Sequence, residues 1–126
     1  MFYVIFYLMH KKFLNIISVI LWLLVIFLLS AIPGKNYPDQ AFNYAIAAHI
    51  LEYFVLAFLL ARACGKYSFK KLIFILAFCL LFGISDELHK SQVPFRDTDV
   101  IDWGFDVLGV GFGIIVYYFS SMSSLE

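Results

Sequence analysis

The sequence predicts an all-α integral membrane protein, a four-transmembrane-helix bundle with its N- and C-termini cytoplasmic, forming a single domain over residues 1–124. Three observations lead there. Hydrophobic residues make up 63% of the 126-residue chain, against roughly half in soluble domains, and its mean hydropathy is +0.92. Apolar runs of membrane-crossing length recur four times, and Lys and Arg are unevenly shared between the connections. A formal net charge of zero carries no electrostatic footprint for nucleic acid, and none is expected as a partner.

A span needs about 20 mostly apolar residues, because the helix rises about 1.5 Å per residue across a core about 30 Å thick. Residues 13–32 meet this without a charge and stop at the breaker pair Pro33-Gly34. A cleaved signal peptide would share the basic flank His10-Lys11-Lys12, but the apolar run is too long and no small-x-small cleavage site follows, so a permanent helix is expected. The first nine residues either extend this helix or lie at the interface. The second span covers about 41–61, where His49 and Glu52 are the ionisable interior groups beside Tyr44 and Tyr53. The third, about 70–90, has an uncharged part from Leu72 to Ser85 that reaches only about 21 Å, so it must run on into Asp86-Glu87-Leu88-His89-Lys90. The fourth, about 100–119, carries Asp102 and Asp106 in its first two turns. The final Leu125 and Glu126 read as a tag-joining remnant and carry no structural weight.

Orientation follows from the basic residues near the span ends. Lys11, Lys12, Arg62, Lys66, Lys70 and Lys71 fall on one side, and Lys35, Lys90 and Arg96 on the other. The richer side is expected in the cytoplasm, which places the 33–40 and 91–99 connections outside. Cys64 and Cys79 lack metal or redox spacing and read as inert thiols. Trp22, Trp103, the phenylalanines and the tyrosines in general read as lipid-facing or interface residues.

The ionisable residues within the spans all fall toward the external side. His49 and Glu52 are spaced i, i+3, and Asp102 and Asp106 i, i+4, so each pair can share a helix face. Taking Asp102 as origin and about 100° per residue, Asp106, Gly109 and Gly113 lie at about +40°, −20° and +20°. A carboxylate at membrane depth must face the bundle interior or a wet cavity, and Gly109-x-x-x-Gly113 lets a neighbouring helix approach closely. Both arguments turn that stripe inward. Between Asp86 and Asp106 six acids stand against Lys90 and Arg96, a crowd that needs shared protons, His49 or His89 as partners, or a bound cation. Asp97 and Asp99 are instead expected as solvated or helix-capping loop residues. For the rest, the alternative to a site is a buried polar network that only fixes helix packing.

The run Asp86-Glu87-x-His89-x-x-x-x-Pro94-x-Arg96, followed by Asp102, Asp106 and Gly109, resembles the signature of the VanZ-like family (teicoplanin resistance protein VanZ-like membrane proteins). Ser30-x-x-Pro33 and His49-x-x-Glu52-Tyr53 extend the resemblance, which covers about residues 28–115. One position departs: the family usually has Gln where this chain has Lys90, which brings a cation into the site. Gln92 would point about 200° away on a helix and is a poor replacement. The resemblance implies a four-helix protein of the bacterial inner, or cytoplasmic, membrane, whose name-giving member is associated with resistance to the glycopeptide teicoplanin; it implies no settled reaction.

Two functions remain open on this basis. In the first, His49, Glu52, Tyr53, Asp86, Glu87, His89, Lys90, Arg96, Asp102 and Asp106 form a binding site near the external leaflet. Its ligand would be a membrane lipid headgroup, a lipid-linked cell-wall precursor or a lipoglycopeptide, with the Arg96 fork as anion clamp. In the second, the protein is an enzyme acting on a lipid-linked substrate, with His49 or His89 as base or metal ligand. A divalent cation is compatible with the ligand types, and Asp86, Glu87, His89 and His49 are the expected metal set, although no His-Glu-x-x-His or similar motif is present.

Overall fold

The computed structural model describes residues 1–34 and 41–123, the side chains of 41–43 excepted. Residues 35–40 of the 33–40 connection, Lys35 among them, and residues 124–126, with Leu125 and Glu126, lie outside the described residues. Four helices follow one another, α1 (Phe2–Ser30), α2 (Ala41–Cys64), α3 (Phe69–Lys90) and α4 (Val100–Ser123). All four are long and apolar enough to cross a membrane, as a multi-pass membrane protein requires. Few of their side chains are enclosed by the bundle itself. Phe, Leu, Ile and Val cover much of its outside, an arrangement that suits lipid and not water.

The helix ends differ from expectation in ways that have local causes. α1 begins at Phe2, so the first nine residues extend the helix, and all of them are exposed. It ends at Ser30 rather than 32, because Pro33 disfavours helical backbone at the residue before it. α2 continues three residues past 61 to Cys64. Gly65 then adopts φ +74°, and its amide donates to the Ala61 carbonyl at 3.0 Å, the usual left-handed exit from a helix. α4 runs four residues beyond 119.

The closest packing joins α2 to α4, and the glycines on α4 explain it. A Cβ on Gly109 would sit 2.3 Å from the Ile50 carbonyl oxygen, and one on Gly113 2.3 Å from that of Phe54. Backbone therefore meets backbone along this seam. Apolar packing between helices gains little when lipid is the competing surroundings, so close van der Waals approach and buried polar contacts must hold such a bundle. Tyr53, Leu56, Ala57, Leu60 and Ala61 of α2 fill the core with Val19 and Ile26 of α1, Ile75 and Cys79 of α3, and Val110 and Ile114 of α4.

The loop after α3 folds back on the end of α1. Phe95 takes φ 60°, uncommon for a residue with a side chain, and the Gly34 amide donates to the Pro94 carbonyl at 3.3 Å. Only a glycine fits at position 34, since a Cβ there would overlap the Phe95 carbonyl. The end of α1, the start of α2, the end of α3 and the start of α4 thus meet at one end of the bundle.

Candidate functional site

At that end two groups of charged side chains lie side by side. The first is built on α2 and α4. His49, 6% exposed, bonds through Nδ1 to Asp106 Oδ1 at 2.8 Å, and its Nε2 lies 3.6 Å from Asp102 Oδ2. Asp106 is 2% exposed, whereas the Asp102 side chain keeps 29% of its surface. The Gly109–Ile50 contact one turn away brings the two backbones close enough for this imidazole–carboxylate bond.

The second group is built on α3 and the end of α1. Lys90, only 2% exposed, places Nζ 2.9 Å from Asp86 Oδ2 and 2.8 Å from Glu87 Oε1. The first contact is within ion-pair range but is not aligned as a hydrogen bond; the second is both. Ser30 donates its hydroxyl to Asp86 Oδ1 at 2.5 Å, tying α1 to α3. Asp86 is thereby held from two sides. A buried ammonium with two carboxylates is tolerable where an isolated charge is not.

Glu87 links the groups. One ligand atom from each of Glu87, His49 and Asp102 lies within 4.8 Å of the others. Glu87 Oε2 is buried without a hydrogen-bond partner among the described residues, and so is Asp106 Oδ2. Glu52 is half-buried on the same side of α2, within electrostatic reach of His49, Lys90, Asp86 and Asp106. Tyr53 is fully buried and its hydroxyl has no partner among the described residues. That removes Tyr53 from the interface role expected of the tyrosines in general.

Several expected roles change. His89 is turned toward α1, where its ring stacks on Phe27 at 4.4 Å between centroids, and it does not join the His49 group. Asp86 is likewise occupied by Ser30 and Lys90. The metal set of Asp86, Glu87, His89 and His49 therefore gives way to His49, Glu87 and Asp102. The reason is helical phase: His89 lies about 60° from Asp86 on the side opposite Glu87. Arg96 donates from Nη1 to the Leu29 and Ile32 carbonyls at 3.2 and 3.0 Å, which caps the C-terminus of α1. Asp99 caps α4 through the Ile101 amide at 2.9 Å, while Asp97 and Gln92 are exposed outside the cluster.

Both tryptophans are half-buried and make contacts within the bundle. Trp22 donates Nε1–H to the Glu52 carbonyl at 2.8 Å, and the Trp103 ring covers Gly83, 3.1 Å from where a Cβ would stand. Ser30 is the member that residue-by-residue reading missed. Its only signal was its place in the Ser30-x-x-Pro33 pattern, because a serine at a helix end ordinarily reads as a cap.

Fold and site together define a class: a four-helix protein of membrane-spanning proportions that buries a paired ionic network at one end. No family model, curated protein or solved structure matches the chain. The resemblance to VanZ-like proteins thus rests on the motif residues themselves.

Proposed function

We propose that the chain is a multi-pass protein of a bacterial inner membrane, of VanZ-like type, with both termini cytoplasmic, and that it binds a lipid-linked cell-envelope molecule at its external end. The Lys/Arg asymmetry supports the orientation. It is sharper than a count suggests, because Lys90 is buried in ion pairs and is not a loop charge.

One observation carries the binding reading: a groove of about 390 Å³ between α3 and α4 that reaches the polar cluster at Glu87. Ile84, Leu88, Val100 and Trp103 line it with Glu87 and Asp99. A ligand with a hydrocarbon chain and a polar head suits both parts, entering sideways from the bilayer. The head is constrained as well. Five carboxylates (Glu52, Asp86, Glu87, Asp102, Asp106) face one lysine and one histidine, which favours hydroxyl or amine groups over a bare phosphate.

Titrating a polyprenyl-linked saccharide into the detergent-solubilised protein should raise its Tm, and Leu88→Trp, at an exposed position in the groove, should abolish the rise. A rise that survives Leu88→Trp would remove the groove from the reading. A response to teicoplanin instead of the precursor would assign the groove to a lipoglycopeptide. The enzymatic alternative draws on the His49–Asp106 pair, since a carboxylate-held imidazole is a common acid–base arrangement. The nearby Ser30 hydroxyl is bonded to Asp86 rather than to His49, so binding remains the better-supported reading.

A further inference from the structure

The two carboxylates around His49 are not equivalent. With Asp106 ionised, its carboxylate can only accept a hydrogen bond, and the bond then takes a proton on His49 Nδ1. Nε2 is then turned toward Asp102 Oδ2 at 3.6 Å, with Glu87 completing a trio inside 4.8 Å. An imidazole lone pair facing carboxylates is unfavourable unless Nε2 takes up a proton or a cation stands between them. Lys90 does not serve, because it is held by Asp86 and Glu87 Oε1.

Ligand atoms around a four-coordinate Zn²⁺ at about 2.1 Å stand roughly 3.4 Å apart, close to the spacing between Nε2 and Asp102. A second observation comes from outside the trio. Tyr53 follows His49 by one turn of α2 and is 0% exposed, and its hydroxyl has no hydrogen-bond partner among the described residues. That buried donor lies within electrostatic reach of Asp106, Asp86 and Glu52. In the same cluster Glu87 Oε2 and Asp106 Oδ2 are buried acceptors without a hydrogen-bond partner among the described residues, and they call for a positive or donating group.

We propose that His49 Nε2, Glu87 and Asp102 form a binding site for a first-row divalent cation such as Zn²⁺, with Asp106 as the positioning residue that orients the imidazole. An imidazole with two carboxylates favours such an ion over Mg²⁺ or Ca²⁺, which take all-oxygen surroundings. Three protein ligands leave one position open, the arrangement of sites that engage a further ligand. The carboxylate behind the histidine fixes its tautomer and raises its basicity. The proposal stands on these residues alone and does not depend on what fills the groove.

The test uses the full chain in detergent, stripped with a chelator and dialysed against Zn²⁺, with bound metal measured per chain and folding followed by circular dichroism. Wild type should take up one ion per chain. Asp102→Asn and Glu87→Gln, at partly exposed positions, should stay folded and bind at least about tenfold more weakly, and Asp106→Asn about 10- to 100-fold more weakly. His10→Ala, at an exposed histidine, should change nothing. With Co²⁺ as probe, Asp106→Asn should also shift the visible absorption bands, which a purely structural role would leave in place. Absence of binding at millimolar Zn²⁺ would overturn the proposal in favour of an imidazolium held between Asp102 and Asp106. Unchanged stoichiometric binding in a folded Asp102→Asn, Glu87→Gln double variant would overturn it as well.

Discussion

The two ends of the bundle use similar residues to opposite effect. At the polar end Lys90, Asp86, Asp106 and His49 are buried and each has a charged partner within about 3 Å. At the other end Arg62, Lys66 and Lys70 are exposed, and their neighbourhood is held by light contacts: Arg62 Nη2 donates to Ser18 Oγ at 3.3 Å, and Lys71 Nζ to the Lys66 carbonyl at 3.0 Å. Burial, rather than residue type, sets what a charge contributes. An exposed group changes one set of water contacts for another, whereas a buried one has no alternative partner.

The largest difference between the ends should be topological. In a background lacking Cys64 and Cys79, a membrane-impermeant thiol reagent added outside should label a cysteine at Thr98 and spare one at Tyr67, both exposed positions. The reverse pattern would put the polar end in the cytoplasm and remove external ligands from consideration.

Stability comes next. Lys90→Met should leave Asp86 and Glu87 without their cation and cost about 3–5 kcal/mol, measured by thermal or denaturant unfolding in detergent. A loss below about 1 kcal/mol would show that water reaches those carboxylates and that the two ends are less different than their burial implies. Gly109→Leu drives a side chain into the α2 backbone and should cost at least the ~1–3 kcal/mol of overpacking, while Ile115→Leu on the exposed face should stay within about 0.5 kcal/mol. Equal losses at the two positions would break the assignment of the α2–α4 seam.

Smaller effects test the two arginines against each other. Arg96→Lys keeps a charge but loses the guanidinium whose Nη1 reaches two carbonyls of α1, and should cost about 1 kcal/mol. If its Tm is unchanged while the response to the lipid-linked probe disappears, Arg96 belongs to the binding site and not to the cap. Arg62→Ala should shift stability by no more than about 0.5 kcal/mol in the same melts.

Much of the candidate site was readable because helical spacing alone puts Asp102, Asp106, Gly109 and Gly113 on one stripe, and His49 one turn before Tyr53. Spacing could not say which neighbour each face meets. His89 and Asp102 show the limit. Both lie among acids near the polar end, yet the rotation of α3 sends His89 against Phe27, and the α2–α4 approach brings Asp102 toward His49. Arg96 could not be assigned either, since the left-handed backbone at Phe95 decides where the loop carries it.

The sequence by itself determined the number of helices, their approximate bounds and the gathering of ionisable groups toward one end, because hydropathy, helical rise and periodicity are local properties of the chain. Only the tertiary structure decided the distant partners: Ser30 with Asp86, and His49 between Asp106 and Asp102. Those pairings depend on how closely two backbones approach and how far each helix is turned. Glycine contacts and buried charge set both across stretches of more than 50 residues, a separation at which periodicity along the chain carries no information.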